Sequence, residues 1–190
     1  MAIKSITKKL VVLTGLTPIM FDRYSGDNKT ELTPEQKLYL NSNGELLLPS
    51  LNIISFLSAQ NTESATKRVL PPREYKPVAA SLLSCVSIDP LDIPFFRSGK
   101  PIKVGVFSND KDSVSGMHIE RHVARLPKGI PNPKVRPVLP LPWELKFEMS
   151  IYPSENLNES LIERIFSQGG IQIGLGTYRG VYGKFSFKWS

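Results

Sequence analysis

The chain has 190 residues, 41% of them hydrophobic, enough to bury one sizeable core, and one domain with insertions suits that length better than two. Its 24 Lys and Arg against 17 Asp and Glu give a formal charge of +7, which favours an acidic partner such as nucleic acid over a neutral small molecule. A single cysteine, Cys85, excludes an internal disulfide framework and fits a reducing compartment, and no run approaches the ~18 apolar residues of a membrane span.

No signal-type apolar region follows the basic first nine residues, so a cytosolic location is expected. Lys8 to Gly15 is β-branched and reads as a first strand, left through the turn at Thr17-Pro18. Asp22 to Thr30 is polar and reads as a loop. Thr33-Pro-Glu-Gln36 has the form of a capping box opening a turn or two of helix. Asn41-Ser-Asn-Gly44 between Leu38-Tyr-Leu40 and Glu45-Leu-Leu-Leu48 signals a hairpin. A helix follows with Ser50 as N-cap and Leu51, Ile54, Phe56 and Leu57 as its apolar side.

Residues 61–79 turn polar, basic and proline-containing and are read as an exposed loop, and 80–88 as a strand holding Cys85 as a small buried residue. Residues 100–136 carry eight Lys or Arg (Lys100, Lys103, Lys111, Arg121, Arg125, Lys128, Lys134 and Arg136) against three acids. Strands are expected over 102–107 and 117–126, whereas Pro127 to Lys134 holds three prolines and is expected to form no regular element. Two readings of this stretch stand side by side: a basic arm that grips phosphates, and a solvated hairpin whose charge protects its edges.

The last third is more regular. Trp143 to Tyr152 alternates, with Trp143, Leu145, Phe147, Met149 and Ile151 on one face, and Trp143 is assigned to the core. Asn156 as N-cap and Glu159 open a helix with an apolar stripe of Leu157, Leu161, Ile162, Ile165 and Phe166, ended by Gly169-Gly170. Phe185, Phe187 and Trp189 then alternate with Lys184, Ser186 and Lys188 as a final strand. A strand-helix-strand unit over an antiparallel sheet gives an α+β fold of ferredoxin-like type, a single domain over 1–190 with 61–79 and 100–136 as insertions.

Between that helix and the final strand lie six of the chain's 13 glycines, with Arg179 and Lys184 and no acid. Clustered glycines persist where the backbone needs positive φ or must let another molecule approach. Exposed amides, positive charge and the rings of Tyr178 and Tyr182 suit a polyanion with bases to stack. Gly174-Leu-Gly176 is not a dinucleotide fingerprint, because a strand follows where that motif needs a helix, and there is no Walker sequence. No cofactor is expected. The alternative for the loop is a tight connection with a bulge, and for Arg179 an ion pair with Glu163.

Arg136-Pro-Val-Leu-Pro-Leu-Pro-Trp143 and the ending Ile173-Gly-Leu-Gly-Thr-Tyr-Arg-Gly-Val-Tyr-Gly-Lys-Phe185 together resemble a family of uncharacterised bacteriophage and prophage proteins. Thr14-Gly-Leu-Thr-Pro-Ile-Met20 and Tyr39 to Ile54 are similar to its N-terminal segments, and Gly180 stands where the pattern usually has Pro. More distantly, the glycine loop resembles the RAMP superfamily of CRISPR-associated proteins, whose ferredoxin-like, RRM-like domains bind RNA. The resemblance implies nucleic-acid binding in a bacterial host cell, in a phage or CRISPR-type ribonucleoprotein setting.

The leading expectation is therefore a non-enzymatic binder of single-stranded RNA or DNA. Gly174, Gly176, Arg179, Gly180, Gly183 and Lys184 hold the backbone, Tyr178 and Tyr182 stack bases, and Arg121, Arg125, Lys128, Lys134 and Arg136 add charge. Two alternatives stand beside it. One is a phage structural or assembly protein that associates with copies of itself. The other is a RAMP-like metal-independent endoribonuclease using His118 or His122 as acid or base, with Arg121 or Lys128 stabilising charge. A metal at the His118-x3-His122 pair is not expected, because no further ligand pattern accompanies it.

Overall fold

The computed structural model describes residues 2–27, 30–107, 116–125 and 131–189. In chain order it contains β1 (Thr7–Gly15), β2 (Ile19–Met20), β3 (Tyr39–Leu40), β4 (Leu46–Pro49), α1 (Ser50–Ser58), α2 (Ala65–Val69) and α3 (Tyr75–Cys85). Then come β5 (Val86–Asp89), β6 (Asp92–Arg97), β7 (Lys100–Pro101), β8 (His118–Arg125), β9 (Pro131–Leu139), β10 (Glu144–Ile151), α4 (Glu159–Gln172) and β11 (Phe185–Trp189).

β1 lies between β11 and β10 and pairs antiparallel with both, and β5 adds antiparallel to the far side of β10. The order β11-β1-β10-β5 has helices entering twice, α1 to α3 between β1 and β5, and α4 between β10 and β11. Two interleaved strand-helix-strand units with that order are the ferredoxin-like arrangement. β6 continues along the edge of β10 beyond β5, pairing Leu145 with Phe95, and carries β7 and the β3–β4 hairpin outward. Among the described residues no helix is long and apolar enough to cross a membrane.

Period-2 patterning decides which face closes. Val11 and Leu13 of β1 stand opposite Phe147 and Leu145 of β10, and all four are buried on the side that receives Ile162, Ile165 and Phe166 of α4. Each such side chain contributes on the order of 2 kcal/mol relative to exposure. Phe185 of β11 closes the same layer against Phe56 of α1, with ring centroids 5.3 Å apart. The opposite face is polar, with Lys8 donating to Glu148 at 2.8 Å.

Several local expectations are corrected. Ser50 is the first residue of α1 and Pro49 the cap, and Leu51 is exposed while Ile53 turns inward. Asn158, two residues beyond Asn156, caps α4 by accepting from the Leu161 amide at 2.8 Å, and the helix continues through Gly169-Gly170 to Gln172. Gly170 fits there because Phe185 packs against its backbone, where a Cβ would lie 2.7 Å from the ring. The strand expected from residue 80 begins at Val86; before it α3 buries Val78, Ala79 and Leu82 at helical spacing, and Cys85 is half-buried at its end. Short apolar runs do not separate helix from strand by period alone. Residues 61–79 hold α2 and the start of α3, with Ala65, Thr66 and Leu70 buried.

A second sheet, β2-β9-β8, contains the later part of the basic stretch, whose first residues, Lys100 and Pro101, form β7 on the main sheet. β8 matches the strand expected over 117–126. Over 102–107 the described chain forms only an isolated bridge, Lys103 to Glu45. β9 starts at Pro131 although prolines were expected to forbid it. Pro131, Pro133 and Pro137 alternate along the strand, so all three turn their missing donors to the same side, away from β8. On that outer side the Pro137 carbonyl accepts from the Phe21 amide at 3.0 Å.

Candidate nucleic-acid interface

Beyond α4 the chain folds back through residues 173–184, and the backbone of β2 sets how closely. The Gly183 amide donates to Pro18 O at 2.7 Å, the Thr177 amide to Met20 O at 2.9 Å and the Lys184 amide to Thr17 Oγ1 at 3.0 Å. Trp143, fully buried, donates from Nε1 to Thr17 O at 2.9 Å and holds the strip on which the loop rests. At Gly176 (φ +80°) a Cβ would lie 2.4 Å from Met20 O, and at Gly183 (φ +73°) 1.9 Å from Leu175 O. Positive φ and backbone crowding together require glycine at both.

The Gly174, Gly180 and Gly183 amides are used inside the fold, on Gly169 O, Ile173 O and Pro18 O. Among the described residues, the amides of Gly176, Tyr178 and Arg179 have no hydrogen-bond partner. Gly176 and Arg179 are exposed. Arg179 donates from Nη1 to the Glu63 carbonyl at 3.2 Å and among the described residues forms no ion pair with Glu163 or any other carboxylate, which leaves most of its guanidinium donors for another acceptor.

The two loop tyrosines face the second sheet. On β8 a period of two brings His118, Glu120 and His122 to one face, opposite Val138, Arg136 and Lys134 of β9. Glu120 takes His118 Nε2 at 3.0 Å on one oxygen, and His122 Nε2 at 2.7 Å and the Tyr182 hydroxyl at 2.6 Å on the other. Burial, with the Glu120 carboxylate second, pushes the Tyr182 hydroxyl up to about 12, so it stays a donor. The Tyr178 ring lies 5.1 Å from His122 and 5.0 Å from the Arg136 guanidinium, with φ at +52°. A left-handed tyrosine costs on the order of 1 kcal/mol, which this packing offsets.

Arg136 is itself clamped on Asp22 through Nε and Nη2, both at 2.7 Å. Buried Lys37 approaches the other Asp22 oxygen at 3.5 Å and donates to Val135 O at 2.6 Å. Among the described residues four buried side-chain polar atoms have no partner: Ser64 Oγ, His118 Nδ1, Arg136 Nη1 and the Tyr178 hydroxyl, three of them on residues of this seam. No group of three or more His, Cys, Asp or Glu among the described residues is arranged to hold a metal ion.

Beside the seam runs a trough of three neighbouring cavities that share lining residues. The first, about 300 Å³, lies between the start of α1 and the loop, lined by Asn52, Ser55, Gly176 and Arg179. The second, about 270 Å³, shares Asn52, Gly176 and Thr177 and extends to Arg23, Lys37 and Tyr39. The third, about 590 Å³, shares Asp22, Arg23, Tyr24 and Lys37 and reaches Asn132 and Lys134 on β9. Loop amides and Arg179 at one end thus connect to the basic arm at the other.

Of the residues singled out in the sequence, Gly174, Gly176, Tyr178 and Arg179 line the trough and Lys134 reaches its far end. Tyr182, His118, His122 and Arg136 form the seam behind it. Gly174 and Gly183 are buried supports, Gly180 turns the loop at φ +94°, and Lys184 is half-buried where β11 begins. Arg121 points to the opposite face of β8, paired in register with Val135. Arg125 contributes backbone to β8, and its side chain, like all of Lys128, lies outside the described residues.

Asp22, Arg23, Lys37, Tyr39, Asn52 and Glu120 were missed. For Glu120 a signal existed: residues 118, 120 and 122 on a strand must share a face. Asp22 and Lys37 meet Arg136 across about a hundred residues, and nothing local announces such a contact.

No family model matches the chain, and no curated protein does. Among solved structures, a chain from the cryo-EM structure of type III-B Cmr-beta bound to cognate target RNA aligns over 98% of this chain at 13% identity, with a TM-score of 0.47. The alignment spans 59% of that chain.

Proposed function

We propose that this protein binds single-stranded nucleic acid, RNA foremost, in the trough between the glycine loop and the second sheet, and that it does so as a binder and not as an enzyme. The observation that carries the reading is the set of unpaired amides at Gly176, Tyr178 and Arg179 beside the exposed Arg179 guanidinium. Main-chain donors next to a cation with spare donors suit phosphate oxygens, which accept several hydrogen bonds at once. Lys134 at the far end and the formal charge of +7 extend the attraction along a strand.

Tyr178 and Tyr182 take a different part from the stacking first expected of them. The Tyr178 ring is engaged with His122 and Arg136, and the Tyr182 ring and hydroxyl with His122 and Glu120, so the two residues fasten the loop to the arm and keep the free amides aimed at the trough. A bacterial cytoplasm and a phage or prophage setting belong to the same proposal and rest on the motifs at the two ends of the chain. The test is a filter-binding titration with single-stranded RNA. Wild type should bind with an affinity that falls as salt rises, and Arg179→Ala should bind about tenfold more weakly with an unchanged melting temperature. Equal affinity in the two proteins would remove the loop from the interface.

One observation favours a second reading, RNA cleavage: Glu120 supplies the positioning carboxylate between His118 and His122. Both Nε2 atoms are spent on that carboxylate and His118 is buried, so only half-buried His122 could meet a substrate. Cleavage of RNA by wild type that disappears in His122→Ala would establish it.

A further inference from the structure

The middle cavity of the trough differs in chemistry from its two ends. Tyr39 lies at its wall, half-buried, and the Arg23 guanidinium sits 4.8 Å from the ring centroid. Among the described residues Arg23 makes no ion pair and its side chain is exposed, so it can lift by the thickness of a ring without breaking anything but this contact. Asn52, in the first turn of α1, lines this cavity and the phosphate end alike; its side-chain amide makes no hydrogen bond within the described protein and is exposed. The one acid present, Asp22, is already held by Arg136 and Lys37.

We infer that this cavity is a base subsite, in which one nucleobase of the bound strand lies on the Tyr39 ring under the Arg23 guanidinium and presents its edge to Asn52. Three physical features support the assignment. A ring with a movable planar cation over it is the arrangement that accepts a flat heterocycle, because the guanidinium stacks as readily on a base as on tyrosine. An unengaged carboxamide carries both donors and an acceptor, the complement of a base edge and not of a phosphate. The volume, about 270 Å³, is just below the range that encloses drug-sized ligands, so it suits one base and no longer segment.

The subsite is also placed correctly with respect to the backbone. It joins the loop cavity through Gly176 and Thr177, so a strand whose phosphate sits on the Gly176 and Arg179 amides has its neighbouring base beside Asn52. The inference therefore rests on the nucleic-acid reading and adds to it a preference among bases, where amides and arginine alone are indifferent to sequence.

The test is fluorescence anisotropy of the full chain with short single-stranded oligoribonucleotides: the four homopolymers and an abasic strand of the same length. Wild type is expected to bind its preferred homopolymer about tenfold tighter than the abasic strand. Tyr39→Ala is expected to erase that gap while still binding the abasic strand like wild type, and Tyr39→Phe to keep it. Asn52→Ala, at an exposed position, is expected to narrow the differences among the four homopolymers. A full gap in Tyr39→Ala, or wild type that binds abasic and base-bearing strands equally, overturns the subsite and leaves phosphate binding standing. Wild type that binds no strand overturns both.

Discussion

The helix-covered side of the main sheet and the seam between the glycine loop and the second sheet are built from opposite materials. Behind the sheet, Leu13, Phe147, Ile165, Phe166 and Phe185 are all buried and apolar, and the buried charged side chains among the described residues, Lys37 and Arg136, lie in the seam instead. In the seam Glu120, His118, His122, Tyr182, Arg136, Asp22 and Lys37 hold one another by hydrogen bonds and charge, and three of their neighbourhood's polar atoms remain unsatisfied. Apolar packing is indifferent to what passes outside it. A polar seam with spare donors can exchange internal partners for external ones, which is what an interface for a polyanion needs.

The largest effect that would break this contrast is expected at Trp143, where the two regions meet. Trp143→Ala removes a fully buried ring that packs on Phe95 and holds Thr17, and should lower stability by about 3–5 kcal/mol in urea unfolding. A loss under ~1 kcal/mol would mean the ring is not part of the core. Next is Gly176→Val, whose Cβ branch would meet Met20 O and strain a positive φ. It should destabilise by ~1–3 kcal/mol and expose the loop amides to hydrogen exchange, so it tests loop docking and not binding alone.

Glu120→Gln should act within the seam. It keeps the size of the side chain and removes the charge that engages both histidines and Tyr182, at a cost of about 1–2 kcal/mol, with faster exchange in residues 178–183 and no change in the amides of β1 and β10. Tyr182 offers a finer probe. Its hydroxyl titrates at about 12 in the folded chain against an ordinary 10.0, so its proton is held more tightly when folded. Its stabilising contribution should therefore be complete below pH 10 and vanish as pH rises towards 12. In Tyr182→Phe that part of the alkaline loss should be absent from a series of thermal melts across this range.

The same contrast explains what could be read in advance. Strands β1, β10 and β11 and the apolar stripe of α4 were legible because alternation and helical spacing are written within ten residues. The ferredoxin-like order followed from them. Helix α3 was missed because Ala79 to Leu83 is short and mostly apolar whichever element it forms, and β9, the middle strand of its sheet, because its prolines turn their missing donors away from β8, to a side where β2 pairs only with Val138 and Leu139. In the loop the glycines were visible, yet which amides they free depended on Pro18 and Met20, and where the Arg179 guanidinium rests on Glu63, all distant in sequence and contributing backbone atoms with no side-chain signature. Tyr39 and Asn52 were placed correctly in a hairpin and a helix, and only the fold brings them to one trough.

The central claim is that phosphate meets the loop at Gly176 and Arg179, and salt dependence measures it most directly. The logarithm of the binding constant for single-stranded RNA, plotted against the logarithm of salt concentration, should fall on a line whose slope becomes shallower by roughly 0.7 in Arg179→Ala, the loss of about one phosphate contact. A slope identical to wild type, or binding that does not respond to salt, would contradict the account.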